Sequence, residues 1–167
     1  VCLGLRVASP LLALPRLVDG GRRPRLVHRQ APAPMGDGEQ GEGSIYEAAM
    51  AASHYKLSNL TAIIDRNQLQ ISGKTEEVMS LDSIWQRWES LGWQVSDCDG
   101  HDIDALCMQL EKIPLANKKP HLLIAHTIKG KGVSFMENNV KWHHGVPNEQ
   151  QFKEAIDEID QRLIVTA

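Results

Sequence analysis

The sequence predicts an α/β fold, a three-layer parallel sheet with helices on both faces. From residue 36 onward, strand-like apolar runs alternate with helix-like segments, which is the order of a parallel sheet with crossover helices. The run His121–Ile128 is almost continuously apolar, as expected for a strand that is buried on both faces. We therefore expect one domain over residues 36–167.

Local patterns justify each element in chain order. A helix is predicted over Ser44–Lys56, because small apolar residues share one face and Ser44 with Glu47 has the spacing of a capping box. The strand Leu60–Asp65 follows it. The next predicted elements are a helix that carries Leu81, Ile84, Trp85, Trp88 and Leu91 and ends near Gly92, and a short strand Trp93–Val95. They are followed by a helix Ile103–Ile113 capped by Asp102 and by the strand His121–Ile128. The last predicted element is a helix capped by Asn148 and Gln151, with Phe152, Ile156, Ile159 and Leu163 on one face.

Residues 1–35 differ in composition from everything that follows. They hold six arginines, five of the eight prolines and one acid, Asp19, for a net charge of +5, which leaves −8 for the remainder. We expect an atypical leader, disordered or not native to the domain, and three explanations stay open: a targeting peptide, a flexible arm or an altered sequence. Pro32 and Pro34 argue against a central strand before Gly36.

Two loops predict a site for a divalent cation and a diphosphate. Asp37 lies between glycines in Gly36–Gly43, and Asn67 follows the strand Leu60–Asp65. Mg²⁺ prefers oxygen ligands, which Asp37, Asn67 and the main-chain carbonyl of Leu69 can supply. Glycines allow backbone N–H groups to approach a phosphate, and the predicted helix start at Ser44 favours an anion.

Composition excludes several other classes of function. The formal net charge of −3 argues against nucleic-acid binding, which needs a basic surface. No membrane-spanning run is visible. Cys2, Cys98 and Cys107 have neither the count nor the spacing of a disulfide framework or a zinc site. We therefore expect reduced thiols and a cytoplasmic location.

The chain carries two separated motifs in a fixed order: Gly36-Asp37-Gly38 with Asn67, and then the segments Lys129–Asn139 and Val140–Pro147. In these motifs it resembles the thiamine diphosphate-binding domain of transketolase. The resemblance covers Gly36 to about Leu163 and is greatest to the N-terminal subunit of the two-chain bacterial form. It implies a partial thiamine diphosphate-binding fold, since the family has further residues upstream that contribute to the active site.

The resemblance also implies roles for individual residues. Asp37, Asn67 and the Leu69 carbonyl would hold Mg²⁺, while Gly38 would approach the diphosphate of thiamine diphosphate. His144, with His143 as the less certain neighbour, would contact the diphosphate or the substrate. The other implied cofactor-site positions are Gly36, Glu42, Gly43, Asp65, Ile71 and Ile128, with Ile71 and Ile128 packing against the cofactor rings and Glu42 near the subunit contact.

The activity implied is transfer of a two-carbon ketol unit between sugar phosphates. The carboxylate on the pyrimidine side would come from a transketolase C-terminal subunit, so a dimer or heterotetramer is expected. A deoxyxylulose phosphate synthase shares the Gly-Asp-Gly and Lys-Gly-Lys-Gly elements and is the nearest enzymatic rival, although Trp142–Gly145 favours transketolase. Decarboxylating ketoacid dehydrogenases match only in the metal motif. A non-catalytic fragment that folds or binds a partner is the alternative from another class.

Overall fold

The computed structural model describes residues 31–80, 83–112 and 118–165. Within these ranges, four strands form one parallel sheet in the order β1-β2-β6-β5, and two short strands form the hairpin β3-β4. The strands are β1 (Ala31–Gly36), β2 (Leu60–Arg66), β3 (Leu69–Gln70), β4 (Gly73–Lys74), β5 (Gln94–Asp99) and β6 (His121–His126). The helices are α1 (Gly43–His54), α2 (Thr75–Val78), α3 (Ile84–Ser90), α4 (Ile103–Glu111) and α5 (Glu149–Val165).

The four parallel strands end level with one another. Asp65 of β2 pairs with Gly36 on one side and with Ala125 on the other. The carboxyl ends therefore meet at one edge of the sheet, which is where open α/β sheets bind their ligands. The predicted parallel sheet is confirmed, and this edge receives the loops that begin at residues 37, 67, 100 and 127.

Strand β1 corrects the expectation for the segment before Gly36. Ala31–Met35 pairs with Leu60–Ile64, so the sheet begins before the predicted boundary at residue 36. Met35 is buried in the core. Prolines are tolerated here because β1 is an edge strand of the described sheet. An edge strand pairs with a neighbour on one side only, so a proline without an N–H can face the unpaired side. The predicted leader otherwise falls on residues 1–30, outside the described residues.

Helices α1 and α3 cover one face of the sheet. They contribute Ile45, Ala49, Ala52, Ile84 and Trp88 to a core that also contains side chains of all four strands. The indole rings of Trp88 and Trp93 meet edge to face with centroids 4.8 Å apart. In β6, Leu122 and Ile124 join this core while Leu123 and Ala125 are buried as well. Strand β6 is thus buried on both faces, as predicted.

The predicted capping box at Ser44 and Glu47 is wrong. Helix α1 begins at Gly43, and its cap residue Glu42 makes no side-chain capping bond. A 3-10 turn over Gly38–Gly41 directly precedes the helix. The turn places α1 one residue earlier, so Ser44 lies inside the first turn instead of at the cap position.

Two other predicted caps are confirmed. The Asp102 carboxylate accepts the backbone N–H of Ala105 at 3.0 Å. At the start of α5, Asn148 and Gln151 exchange side-chain and backbone bonds of 2.9 and 3.0 Å, which is a complete capping box.

The apolar face predicted for α5 is only partly covered. Ala155 is buried, whereas Phe152 and Ile156 remain exposed. Of the other predicted helix positions, Leu81 and Ile113 lie outside the described residues. No helix in the described part of the chain has the length and apolarity needed to span a membrane.

We expect His121 to make stability depend on pH. It is buried at the start of β6, its Nε2 lies 2.7 Å from Ser96 Oγ, and its Nδ1 has no hydrogen-bond partner among the described residues. Burial lowers its pKa below the ordinary value of 6.5, and Lys112 lowers it further. The unfolded chain therefore binds this proton more readily, so stability present above pH 6.5 is lost as pH falls below it.

Urea unfolding at a series of pH values tests this expectation. His121→Asn should lose less stability than the unaltered chain between about pH 7 and pH 5, because the protonation of His121 no longer penalises the folded state. His54→Asn, at the exposed end of α1, is the matched control and should follow the unaltered chain. Identical pH dependence in both variants would show that His121 does not contribute.

Candidate functional site

The end of β1 and the end of β2 bring Asp37 and Asn67 onto adjacent loops. Asp37 follows β1 and is 1% exposed. Its Oδ2 accepts the backbone N–H of Gln68, the residue directly after Asn67. This bond joins the two loops that the sequence analysis had connected only by spacing.

Arg66, the last residue of β2, is the counter-ion of Asp37. Its Nη1 lies 3.1 Å from Asp37 Oδ1 and its Nη2 lies 2.6 Å from Glu76 Oε1. Burial raises the pKa of the Asp37 carboxyl above its ordinary value, and the Arg66 guanidinium and the Gln68 N–H offset this only in part. The site thus holds a carboxylate whose charge is incompletely compensated by its protein neighbours.

Asn67 and Leu69 form a local turn beside Asp37. The Asn67 Oδ1 accepts the Leu69 N–H at 3.0 Å, which is an Asx-type turn. Gln68 has a φ of 64°, and the chain then enters the hairpin β3-β4. The turn fixes the backbone on both sides of Gln68, whose N–H bonds the Asp37 carboxylate.

The glycine-rich loop is closed by its own side chains. The Gly36 N–H donates to Glu39 Oε2 at 2.7 Å. A Cβ built on Gly38 would lie 3.4 Å from Gln70 Oε1, so the Gln70 side chain packs directly across this glycine. Glu42 and Gly43, predicted to belong to the site, are exposed at the start of α1. The hairpin therefore lies close against the loop at Gly38.

Buried Gln40 ties this loop to the core. Its Oε1 accepts the Trp88 indole N–H at 3.1 Å, and its Nε2 contacts Met35 Sδ at 3.7 Å. The Tyr46 hydroxyl donates to the Gln40 carbonyl at 2.6 Å. The position of Asp37 is therefore coupled to the packing of α1 and α3.

The segment containing His143 and His144 lies on the same side of the molecule. A 3-10 turn over Val140–His143 contacts β3, the strand that carries Leu69. The two imidazole rings are exposed and meet edge to face with centroids 4.5 Å apart. Reduced solvation lowers the pKa of His143, and the positive charges of Lys129 and His144 lower it further. These effects favour the neutral form of His143.

Asp65 and Ile128 lie at the same edge of the sheet. Asp65 is exposed and accepts a hydrogen bond from the Thr127 hydroxyl. The Ile128 N–H donates to His101 Nε2 at 2.7 Å, so Ile128 is held between the ends of β6 and β5. Ile71, predicted to pack against a cofactor ring, is 62% exposed.

Sequence reasoning did not find Arg66, Glu39 or Gln70. Arg66 stands between the two predicted residues Asp65 and Asn67, and a basic residue at the end of a strand could have indicated an ion pair, although not which acid is its partner. Glu39 and Gln70 offered no such signal, because their roles depend on how the glycine-rich loop and the hairpin fold together.

The donor set fits a hard divalent cation. The described residues contain no group of three or more His, Cys, Asp and Glu side chains that could hold a metal. The available donors are instead a carboxylate, a carboxamide and a main-chain carbonyl, which suit Mg²⁺. Each Asp37 oxygen takes one N–H donor and retains acceptor capacity. These donor types are the ones that a hard cation bridging to a phosphorylated ligand requires.

Comparison with known proteins identifies the relatives of this chain. The family model for the thiamine diphosphate-binding domain of transketolase matches residues 25–162. The chain is 60% identical over 129 residues to one of the subunits of an apulose-4-phosphate transketolase from Phocaeicola vulgatus, covering 77% of this chain and 46% of that protein. It is 39% identical over 127 residues to a 6-deoxy-6-sulfo-D-fructose transketolase subunit from Clostridium sp., covering 76% and 46%.

A solved structure agrees with the fold. The transketolase from Campylobacter jejuni superposes with a TM-score of 0.72 at 32% identity, covering 79% of this chain and 21% of that one. The chain spans a little under half the length of the apulose-4-phosphate transketolase relatives that it matches.

Proposed function

Because this chain belongs to the family of transketolase thiamine diphosphate-binding domains, we propose that it supplies the diphosphate-binding part of a transketolase active site. The reaction would transfer a two-carbon ketol unit from a ketose phosphate to an aldose phosphate. The observation that carries the proposal is the bond between Asp37 and the Gln68 N–H, since it joins the two loops at the carboxyl edge of the sheet.

Asp37, Asn67 and the Leu69 carbonyl would hold Mg²⁺, and Gly36, Gly38 and Gly43 would leave room for the diphosphate. Bound thiamine diphosphate supplies the carbanion chemistry. The protein's own contribution is to bind and orient. Exposed Ile71 and half-buried Ile128 would cover the rings, and Asp65 would lie near them.

His143 and His144 would act on the substrate side of the site. The lowered pKa of His143 favours its neutral imidazole, which would accept a hydrogen bond or a proton from the substrate as a weaker base than an ordinary histidine. His144 would contact the diphosphate or the substrate from the exposed end of the same turn.

A second polypeptide would complete the site. Three relatives are named as transketolase subunits. We therefore propose a two-chain enzyme in the cytoplasm, a dimer or heterotetramer, in which the C-terminal subunit contributes the carboxylate on the pyrimidine side. Exposed Glu42 would lie at the contact between subunits.

Sugar phosphates are the proposed substrates. Since the relative from Phocaeicola vulgatus is named for apulose 4-phosphate, this ketose phosphate is the first donor to test. A deoxyxylulose phosphate synthase-like activity is the rival, and pyruvate with glyceraldehyde 3-phosphate distinguishes it in the same assay.

Calorimetric titration tests the proposal. The chain is titrated with thiamine diphosphate, with and without Mg²⁺, alone and mixed with the C-terminal subunit of a two-chain transketolase. We expect heat of binding only when the metal is present, and tighter binding when the second subunit is added, because each supplies groups that this chain lacks.

Two outcomes would contradict the proposal in different ways. Absence of binding in every mixture, with a folded chain by circular dichroism, would favour a non-catalytic fragment. Metal-dependent binding with no ketol transfer from any sugar phosphate would retain the cofactor site and remove the proposed reaction.

A further inference from the structure

We propose that Arg66 is a displaceable counter-ion that competes with the divalent cation for Asp37 and so sets the metal affinity of the site. The inference rests on the proposed function, because it takes Asp37 to be the metal ligand. Arg66 would be a positioning residue: it would affect the metal through Asp37 without contacting the metal or the cofactor itself.

The contacts of Arg66 are divided between two carboxylates. One guanidinium nitrogen lies 3.1 Å from Asp37 Oδ1 and the other lies 2.6 Å from Glu76 Oε1. Glu76 is itself held in place, since its Oε2 accepts the Ser80 hydroxyl at 2.8 Å. Arg66 therefore keeps a fixed anionic partner even when it leaves Asp37.

The surroundings of Arg66 provide space for such a movement. Its side chain is 16% exposed, so it cannot simply turn into bulk solvent. It lines a cavity of about 230 Å³ that also contains Glu76, Asp97 and His126. In the lining of this cavity, Asp97 Oδ2 lies 3.1 Å from His126 Nε2. If the guanidinium withdrew from Asp37, it would thus lie between the carboxylates of Glu76 and Asp97, and its charge would still be compensated.

A cation and the guanidinium cannot both occupy Asp37 favourably. Asp37 is fully buried, and each of its oxygens already accepts one hydrogen bond, Oδ1 from Arg66 and Oδ2 from the Gln68 N–H. A divalent ion bound to Oδ1 would stand beside the positive Arg66, and like charges repel strongly where water is excluded. Binding of the metal at Oδ1 would therefore lengthen or break the Arg66 bond to Asp37.

This arrangement predicts opposite effects for the two partners of Arg66. Removing the guanidinium frees the Asp37 oxygen and removes a repelling charge, so metal affinity should rise. Removing the Glu76 carboxylate leaves Arg66 with Asp37 as its closest acceptor, so metal affinity should fall. A role for Arg66 in binding the diphosphate directly would give weaker cofactor binding in the Arg66 variant instead.

The test is a titration of the full chain with Mn²⁺ at a fixed concentration of thiamine diphosphate, with the second subunit present. Free Mn²⁺ is followed by electron paramagnetic resonance at about pH 8, where aspartate is ionised. We expect Arg66→Gln to lower the apparent Kd about tenfold and Glu76→Gln to raise it by a similar factor, on the scale of one unit charge near the ion. Thermal unfolding with and without Mn²⁺ gives an independent readout of the same shifts.

Matched variants separate this effect from a general change in charge. Lys153→Gln removes an exposed positive charge from α5, and Glu77→Gln removes a carboxylate from the same helix as Glu76. Both should leave the Kd for Mn²⁺ unchanged.

The possible results lead to distinct conclusions. Weaker or unchanged metal binding in Arg66→Gln would overturn the inference and leave the proposed function intact. If Arg66→Gln does not fold, tighter or unchanged binding in Glu76→Gln would overturn it equally. Absence of any Mn²⁺ response in the unaltered chain with the second subunit would remove the metal site, and the inference with it.

Discussion

Replacing Asp37 with asparagine is expected to reduce the metal-dependent affinity for thiamine diphosphate by about 100-fold or more, which corresponds to roughly 2.7 kcal/mol. Asparagine keeps the size of the side chain and can still accept the Gln68 N–H through its amide oxygen. It removes the charge that would bind the cation. Calorimetric titration with thiamine diphosphate at saturating Mg²⁺ measures the loss.

The pH dependence of binding provides a second measure of Asp37. Burial raises the pKa of this carboxyl above 3.8, and the metal requires the ionised form. Affinity should therefore fall as pH decreases through the raised pKa, at a higher pH than for an ordinary aspartate. For stability the sign is reversed, because the folded chain binds this proton more readily than the unfolded chain does. The contribution of Asp37 to stability declines as pH rises above 3.8.

Because the fold raises the pKa of Asp37, we also expect the Asp37→Asn variant to fold. The ionised carboxylate is disfavoured in the fold relative to its protonated form, and Arg66 keeps its bond to Glu76, so the substitution should lower the free energy of unfolding at neutral pH only slightly. Asp157→Asn, an exposed acid in α5, is the control and should change neither affinity nor stability. Unchanged affinity in a folded Asp37→Asn protein would refute the assignment of the metal site.

Replacing Trp88 with alanine is expected to destabilise the domain by about 3–5 kcal/mol. The Trp88 side chain is 2% exposed, packs edge to face on Trp93, and donates its indole N–H to buried Gln40. The substitution leaves a cavity and a buried carbonyl without its donor. Urea unfolding followed by circular dichroism measures the change.

Two further variants show which part of Trp88 matters. Trp85→Ala, on the same helix but 38% exposed, should cost much less. Trp88→Phe keeps an aromatic ring but not the N–H, so about 1–3 kcal/mol should be lost through Gln40 alone. Because Gln40 follows the Asp37 loop, Trp88→Phe should also weaken cofactor binding. Equal stability losses in Trp85→Ala and Trp88→Ala would contradict this account of the core.

The elements that sequence reasoning predicted are those set by local chemistry. The alternation of apolar runs predicted the parallel sheet, and the continuous run at His121–Ile128 predicted a strand buried on both faces. Asp102 and Asn148 were predicted as caps because a cap bond spans only three residues. The failed capping box at Ser44 shows the limit of such patterns. There a 3-10 turn, whose buried Gln40 bonds to Trp88, sets where α1 begins.

The candidate site was predictable in its residues but not in its contacts. The spacing of Asp37 and Asn67 and the resemblance that they carry were enough to predict two loops at one site. No local pattern could show that Arg66 pairs with Asp37, since the two residues are 29 positions apart and meet only because β1 and β2 are neighbours.

By itself, then, the sequence determined the fold class, the order of the elements and the pair of loops that carries the family motif, because these follow from hydrophobic periodicity and from residue types at fixed spacing. The tertiary structure alone decided that Ala31–Gly36 form a strand of the sheet, that Arg66 links Asp37 to Glu76, and that Gln40 connects the site to the core. Strand order and burial determine which distant side chains share a low-dielectric environment, and that environment determines the charge balance of the site.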